Sequence, residues 1–492
     1  MPLDLSSIKN FQDAAVTVMG LGRHKKGSGI GAAKWLMRHG AQLVITDLKD
    51  EEELRDSVEE IMSAYTEYRT AYKDRDIYQP VFVLGKHDAD NFTDVDLVMQ
   101  NPGVARESEF VLLAKEHGIS VESDISLFFR YCPFPIYSVT GTRGKSTTTA
   151  LLGEMLKHIH PKTVIAGNIA RSPLEDLDWL LEEKTPVPIV LELSSWLLES
   201  IEGLGRGPDI ALLTNAYKDH LDRYDSFESY VRAKELIFQE QTSDQVAIFN
   251  ADQEIMHDIA GRIPSKRVLW ISARMLPEGM NGVYRDGDNL IRRIGGETKL
   301  FAHVHDLKLE GEHNIMNAMC ASLAAHEAGV LDDDIHATLK TFAGLPGRQE
   351  ILGEVDGVLF VNDTTGTSPE GVMAALTRFG KGGNIILIGG GSSKGLSFTE
   401  LGKMIGEQCK FVVVFDGTAA DDFERAIGDG APTVRVDSMA KAVKAAVENA
   451  KLGDVVLLSP GTSSFGIFKN EFDRGDQFDA EFHKLQKAST KS

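Results

Sequence analysis

One pattern recurs along most of this chain: a short run of aliphatic and β-branched residues, a glycine-rich turn, then a helical stretch. Val16–Met19 leads to GLG and a helix, and Leu43–Thr46 ends at Asp47. Pro135–Val139 leads to GTRGKSTT, Ile385–Ile388 to GGGSSKG, and Val455–Leu458 to SPGTSS. Strands that alternate with helices pair in parallel, because each crossover returns the chain to the same end of the sheet. Such sheets hold ligands at the carboxyl ends of their strands, where these glycines fall. The fold class is therefore α/β.

Glycine-rich turns near residues 20, 141 and 390 predict three sheets, each in its own domain. One boundary is expected at Tyr131–Pro135, where CPFP breaks any helix, and another at Gly344–Gly347, after a helical Asn314–Phe342 stretch. The expected domains are 1–134, Rossmann-like; 135–343, a P-loop ATPase-like, mostly parallel sheet; and 344–492, again Rossmann-like. Glu51–Ala71 reads as an acidic helical excursion within the first. With 52 basic and 73 acidic residues the net charge is −21, which argues against nucleic acid or an anionic membrane as partner. The three cysteines, Cys132, Cys320 and Cys409, have no CxxC spacing, so neither a disulfide framework nor a zinc knuckle is expected. The N-terminal MPLDLSSIKNFQDAAVTV lacks a basic start and a long apolar run, and a cytoplasmic location is expected.

The strongest local signal is VTGTRGKSTTT, Val139–Thr149, between an apolar strand and the helix-forming ALLGEML. Backbone N–H groups of Gly141, Thr142, Arg143, Gly144, Lys145, Ser146 and Thr147 can encircle phosphate oxygens at a helix N-terminus. Lys145 supplies a point charge for the β- and γ-phosphates, and the Ser146 hydroxyl can bind Mg²⁺. The first glycine of the full phosphate-loop pattern would fall at Val139, so this is the shortened GTxGKST form. ATP is the expected ligand.

This loop belongs to a longer series: GTRGKSTT, GNIARSP (Gly167–Pro173), LELSSW (Leu191–Trp196), TNAYKDHLDRY (Thr214–Tyr224), RAK (Arg232–Lys234), GEHNIMNA (Gly311–Ala318), GLPGRQE (Gly344–Glu350), VNDTTGTSPE (Val361–Glu370) and SPGTSSFGIFKNEFDRG (Ser459–Gly475). In these strings and their order the chain resembles the Mur ligases, the ATP-dependent amino-acid ligases of peptidoglycan synthesis. Within that family it is most similar to the branch that adds glutamate to UDP-N-acetylmuramoyl-L-alanine. The resemblance implies transfer of the ATP γ-phosphoryl to a substrate carboxylate, followed by attack of an amino group on the acyl phosphate. It implies Mg²⁺ held by Ser146 and Glu192, a second metal contact at His220, and Lys234 as a carbamylated lysine offering an oxygen ligand. Each also has a plain alternative: a strand-end carboxylate, a turn histidine, and a helix-surface lysine. Asn314 and Asn317 are assigned to the nucleotide base, with helix capping by Asn314 as the competing explanation. Arg348 would reach ATP phosphates, and Asp363 the ribose.

VTVMGLGRHKKGSGIGAAKWL (Val16–Leu36), with Asp47 beyond it, also looks like a dinucleotide fingerprint. A hydride-transfer enzyme would need a catalytic acid elsewhere, and none is evident. The resemblance gives this region to the UDP part of the substrate: Gly22, Ser28 and Gly29 at the diphosphate, Asp47 with Leu48 and Lys49 at uracil, and Asn168 beside them. An inserted basic cluster, Arg23, His24, Lys25 and Lys26, is expected near the diphosphate, a solvated loop being the alternative.

Thr367, Lys394 and Ser464 match the family's glutamate-gripping positions, and two hydroxyls with one cation suit a dicarboxylic amino acid. Three positions depart from the pattern: Thr365 replaces a lysine, Leu197 a glutamine, and Glu471 an aromatic residue next to the glutamate. Glu471 is expected to point away, since facing carboxylates repel. The motifs do not separate D- from L-glutamate. A folate polyglutamylating relative and a non-catalytic nucleotide-binding regulator are the other readings. The protein is expected to act as a monomer.

Overall fold

The computed structural model describes residues 3–22, 27–169, 171–217, 224–393, 396–464 and 466–489. The chain forms two compact units, Met1–Phe342 and Ala343–Ser492. The first unit contains two sheets. In the first sheet, β1 (Ala15–Met19), β2 (Gln42–Asp47), β3 (Val81–Leu84), β4 (Leu97–Gln100) and β5 (Ser120–Glu122) lie in the order 3-2-1-4-5. All of its pairs are parallel. The order reverses at β1, so a crevice opens at the carboxyl end of that strand, at Gly20.

The second sheet contains β6 (Ile136–Thr140), β7 (Val164–Gly167), β8 (Ile189–Glu192), β9 (Ile210–Leu213), β10 (Val246–Asn250), β11 (Arg267–Ser272), β12 (Gly282–Asp286), β13 (Asn289–Ile294) and β14 (Glu297–His303). The order is 14-13-12-11-10-9-6-8-7, with β6 between β8 and β9. It is parallel except for the antiparallel β12–β13–β14 meander at one edge. One continuous core runs from Val16, Trp35 and Phe128 to Leu191, Leu213 and Phe249, so both sheets bury apolar faces in common. At their junction Asp178 accepts from Trp35 Nε1 at 2.9 Å and pairs with Arg38 at 2.9 Å.

The second unit contains β15 (Glu350–Val355), β16 (Val358–Asn362), β17 (Ile385–Gly390), β18 (Cys409–Phe415), β19 (Thr433–Val436) and β20 (Val455–Leu458), in the order 15-16-20-17-18-19. Only β15 pairs antiparallel.

One predicted element is corrected. The Asn314–Phe342 stretch is two helices, Glu312–Glu327 and Asp332–Thr341. Gly329 adopts φ 97° between them, and Val330 N–H donates to Ala325 O at 2.9 Å, the bond that closes a helix C-terminus. The predicted Glu51–Ala71 helix forms with those bounds, capped by Asp50. Cys132, Cys320 and Cys409 are free and buried. Among the described residues no helix is long and apolar enough to cross a membrane.

Candidate active site

β6 ends at Thr140, and the chain turns through Gly141–Gly144 into the Lys145–Leu156 helix. Gly144 is the N-cap residue with φ 79°, a left-handed conformation that admits glycine at little cost. A side chain there would also collide: a Cβ would lie 2.1 Å from Asn317 Oδ1. Gly141 is equally constrained, its Cβ position lying 2.0 Å from Thr214 Oγ1.

The segment after β9 holds this loop. Thr142 N–H donates to Asn215 O at 2.9 Å, and Arg143 N–H to Asn215 Oδ1 at 2.8 Å. Thr214 Oγ1 and Asn215 Nδ2 both donate to Arg143 O, at 2.8 and 3.0 Å. Lys145 Nζ crosses the loop to the carbonyls of Gly141 and Thr142, at 3.0 Å each. Ser146 is buried and Thr147 half-buried in the first turn of the helix. With the Thr142 and Arg143 N–H groups committed to Asn215, the N–H groups of Gly144, Lys145, Ser146 and Thr147 at the helix start, beside the Lys145 cation, are the arrangement left to meet a polyphosphate.

β8 runs beside β6 with Glu192 opposite Val139, so the Glu192 carboxylate emerges next to the loop. It is 1% exposed. Asn168 donates to its Oε1 at 2.9 Å, while Oε2 is buried without a hydrogen-bond partner. A bare anionic oxygen in the interior is costly unless a cation satisfies it. Together with the Ser146 hydroxyl, this donor set fits Mg²⁺, which prefers oxygen ligands.

Lys234 lies on the Phe227–Gln239 helix and is 2% exposed, which removes the helix-surface alternative. Its Nζ donates to Gly141 O at 2.8 Å and sits 4.5 Å from the Tyr230 ring centroid. Asn317 and Asn314 are also buried. Asn317 Oδ1 accepts from Thr148 at 3.4 Å, and its Nδ2 donates to Asn314 Oδ1 at 3.2 Å. Asn314 is not the cap: that position is Gly311, and Asn314 Nδ2 reaches back to Glu310 O at 2.8 Å. His220 lies outside the described residues. Lys145, Glu192, Lys234 and Asn317 thus all border one loop or the strand beside it, and Asn314 joins them through Asn317.

In the first sheet, Asp47 is 5% exposed, and its carboxylate is already engaged. Oδ2 accepts from Leu21 N–H at 2.9 Å and Gly22 N–H at 3.3 Å, and Oδ1 from Lys49 N–H at 3.0 Å. It shapes the Gly20–Gly22 turn rather than standing free for a dinucleotide ribose. Gly29 lets the Ser28–Arg38 helix approach that turn, since a Cβ there would lie 2.4 Å from Gly20 O. Leu48 is 69% exposed. Arg23, His24, Lys25 and Lys26 lie outside the described residues.

In the second unit Asp363 is buried, accepting from Ser459 Oγ at 2.7 Å and Gln349 N–H at 3.1 Å. Burial pushes its carboxyl up to about 7, against the pull of those two donors, Arg348 and Arg378. Arg348 is exposed, Thr367 half-buried and Ser464 buried. Lys394 lies outside the described residues. Thr365, which replaces a lysine, donates to Gly347 O at 2.9 Å. Glu471 opens the Glu471–Ser489 helix, where a carboxylate favourably meets the helix dipole. Sequence reasoning did not single out Arg474. It is 0% exposed and donates to Thr364 Oγ1 at 3.1 Å and Thr364 O at 2.8 Å. Nor did it assign roles to Thr214 and Asn215, although their string was visible.

The family model described as Mur ligase middle domain matches residues 139–325, and that of the Mur ligase glutamate ligase domain matches residues 347–461. Several relatives carry the name UDP-N-acetylmuramoylalanine--D-glutamate ligase, among them the following two. That of Roseiflexus sp. (strain RS-1) is 39% identical over 473 residues, covering 94% of this chain and 96% of the relative. That of Geotalea uraniireducens (strain Rf4) is 35% identical over 463 residues, with 94% and 96% covered. Among solved structures, MurC of Thermotoga maritima, a UDP-N-acetylmuramate-alanine ligase, superposes with a TM-score of 0.56 at 19% identity, covering 96% of this chain and 99% of that one. MurF ligase of the same organism, in complex with ADP, gives 0.54 at 20% identity, with 98% and 97% covered. These two likenesses are of fold.

Proposed function

This chain belongs to the Mur ligase family, and we propose that it uses ATP to add D-glutamate to UDP-N-acetylmuramoyl-L-alanine in cytoplasmic peptidoglycan precursor synthesis. The observation that carries this reading is the buried, half-partnered Glu192 beside a preformed phosphate loop, in a chain similar along nearly its whole length to relatives named for that reaction. The names of those relatives support D- over L-glutamate.

In the reaction an alanyl carboxylate oxygen attacks the γ-phosphorus, and ADP leaves. The glutamate amine then attacks the carbonyl carbon of the acyl phosphate, phosphate departs, and the nitrogen loses a proton. Phosphoryl transfer depends on alignment and charge stabilisation more than on covalent help from the protein. The Gly144–Thr147 N–H groups at the helix start would fix the phosphates, Gly141, Thr142 and Arg143 would shape the loop around them, and Lys145 would swing from the loop carbonyls to the β- and γ-oxygens. Glu192 and Ser146 would hold Mg²⁺, with His220 and a carbamylated Lys234 as further ligands; the ion supplies charge neutralisation for the phosphates. Asn168 would fix the orientation of the Glu192 carboxylate. Gly22, Ser28, Gly29 and Asp47 would form the UDP site, while Arg348 and Asp363 would serve the nucleotide. Thr367, Lys394 and Ser464 would grip glutamate. The three-domain division and monomeric action belong to the same proposal.

Phosphate release from ATP by the purified protein tests it. Release that requires both UDP-N-acetylmuramoyl-L-alanine and D-glutamate is expected. Release that ignores glutamate would place the chain among nucleotide hydrolases instead.

A further inference from the structure

Asp124 opens the Asp124–Tyr131 helix just past the carboxyl end of β5, the same end of the first sheet as the Gly20 turn, and it is 2% exposed. Both carboxyl oxygens are buried without a hydrogen-bond partner. The hydroxyls of Ser28 and Ser172 face it, yet neither closes a hydrogen bond to either oxygen. Burial pushes this carboxyl above the ordinary carboxylate range, against the pull of those two hydroxyls. Burial makes an ionised carboxylate costlier here than a neutral one.

The two serines belong to different structures. Ser28 is the first residue of the Ser28–Arg38 helix, which follows the glycine turn of β1. Ser172 is 1% exposed and presses on that helix one turn later: a Cβ at Gly31 would lie 2.3 Å from Ser172 Cβ. Ser172 also ends the short loop after β7. In that loop Gly167 N–H donates to Arg171 O at 2.9 Å, and Asn168 N–H donates to Glu192 O at 2.9 Å. A path of packed groups therefore runs from the Ser28 turn through Asp124 and Ser172 to Asn168 and Glu192.

We infer that Asp124 is a positioning residue: as an uncharged carboxyl group packed between the Ser28 and Ser172 hydroxyls, it sets how the Ser28 end of the Ser28–Arg38 helix sits against the loop that carries Ser172 and Asn168. It thereby fixes the spacing between the diphosphate turn and Glu192. This rests on the proposed reading of the Ser28 turn as the UDP site.

The test compares Asp124→Asn and Asp124→Ala with wild type in full-length protein, by glutamate-dependent phosphate release. Removing a group that orients another costs about tenfold or more. Asp124→Ala should raise KM for UDP-N-acetylmuramoyl-L-alanine by about that factor while leaving KM for ATP within about twofold. Asp124→Asn, uncharged and of the same shape, should restore it. An unchanged KM in Asp124→Ala, or an Asn variant as impaired as the Ala variant, overturns the inference. A ligand-independent arm uses infrared difference spectra of wild type minus Asp124→Asn at neutral pH. A protonated-acid carbonyl band should be present in wild type, and its absence overturns the inference even if the Ala variant does not fold. A wild type without glutamate-dependent turnover would defeat the functional reading alone, leaving the infrared result to decide on Asp124.

Discussion

Asn168 touches Glu192 twice, backbone to backbone and amide to carboxylate, each at 2.9 Å. The side-chain bond occupies Oε1 and leaves Oε2 bare, so the amide selects which oxygen faces the proposed ion. Asn168→Ala should therefore raise the Mg²⁺ concentration needed for half-maximal rate by about tenfold, with a smaller effect on KM for ATP. A titration of rate against Mg²⁺ checks this. The sequence exposed the candidates Lys145, Glu192 and Lys234 because the chemistry of phosphates calls for those types in that order. The Asn168–Glu192 bond was not legible, since it depends on β7 and β8 being neighbours, and the residues stand 24 positions apart. Asp124 was hidden for a related reason: an acid opening a helix reads as an ordinary first-turn acid until its burial is known.

At the scale of elements, the strand–turn–helix units were legible because their glycine turns punctuate apolar runs. The β12–β13–β14 meander was not, because the reading followed parallel crossovers. Its signals were present: Gly287 between β12 and β13, and Gly295–Gly296 at φ 61° and 86° between β13 and β14. Paired positive φ values are the geometry of a tight hairpin turn. The meander is fastened to the Asp332–Thr341 helix through Asp332, which accepts from Arg292 Nη2 at 3.1 Å and pairs with Lys299 at 2.6 Å. Those contacts, Arg292 first, lower the Asp332 carboxyl to about 2 from 3.8. A lowered acid stabilises the fold above its ordinary value and loses that contribution as pH falls towards its folded one. Arg292→Ala should cost about 2 kcal/mol at neutral pH. It should also weaken the stability loss between about pH 4 and pH 2, as followed by denaturant titration.

At the scale of the molecule, each compact unit has its own core, so the units can be followed separately. Asp363 gives the second unit an opposite pH signature. Its carboxyl is raised from 3.8 to about 7, so the folded form retains a proton that the unfolded chain has released. Stability of that unit should fall as pH rises from about 4 to 7. Asp363→Asn should flatten this slope without altering the pH response of Met1–Phe342, as read by calorimetry. The net charge of −21 surrounds sites whose proposed ligands are all anions, so binding must rest on local features: the N–H groups of Gly144–Thr147, Lys145 and the helix N-termini. The central claim is ligation of D-glutamate to the UDP-linked substrate. Its most direct measurement is the mass of the product formed from ATP, Mg²⁺, UDP-N-acetylmuramoyl-L-alanine and either glutamate enantiomer. A product heavier by one glutamyl residue with D-glutamate and none with L-glutamate is predicted; no such product, or one from L-glutamate alone, would contradict it.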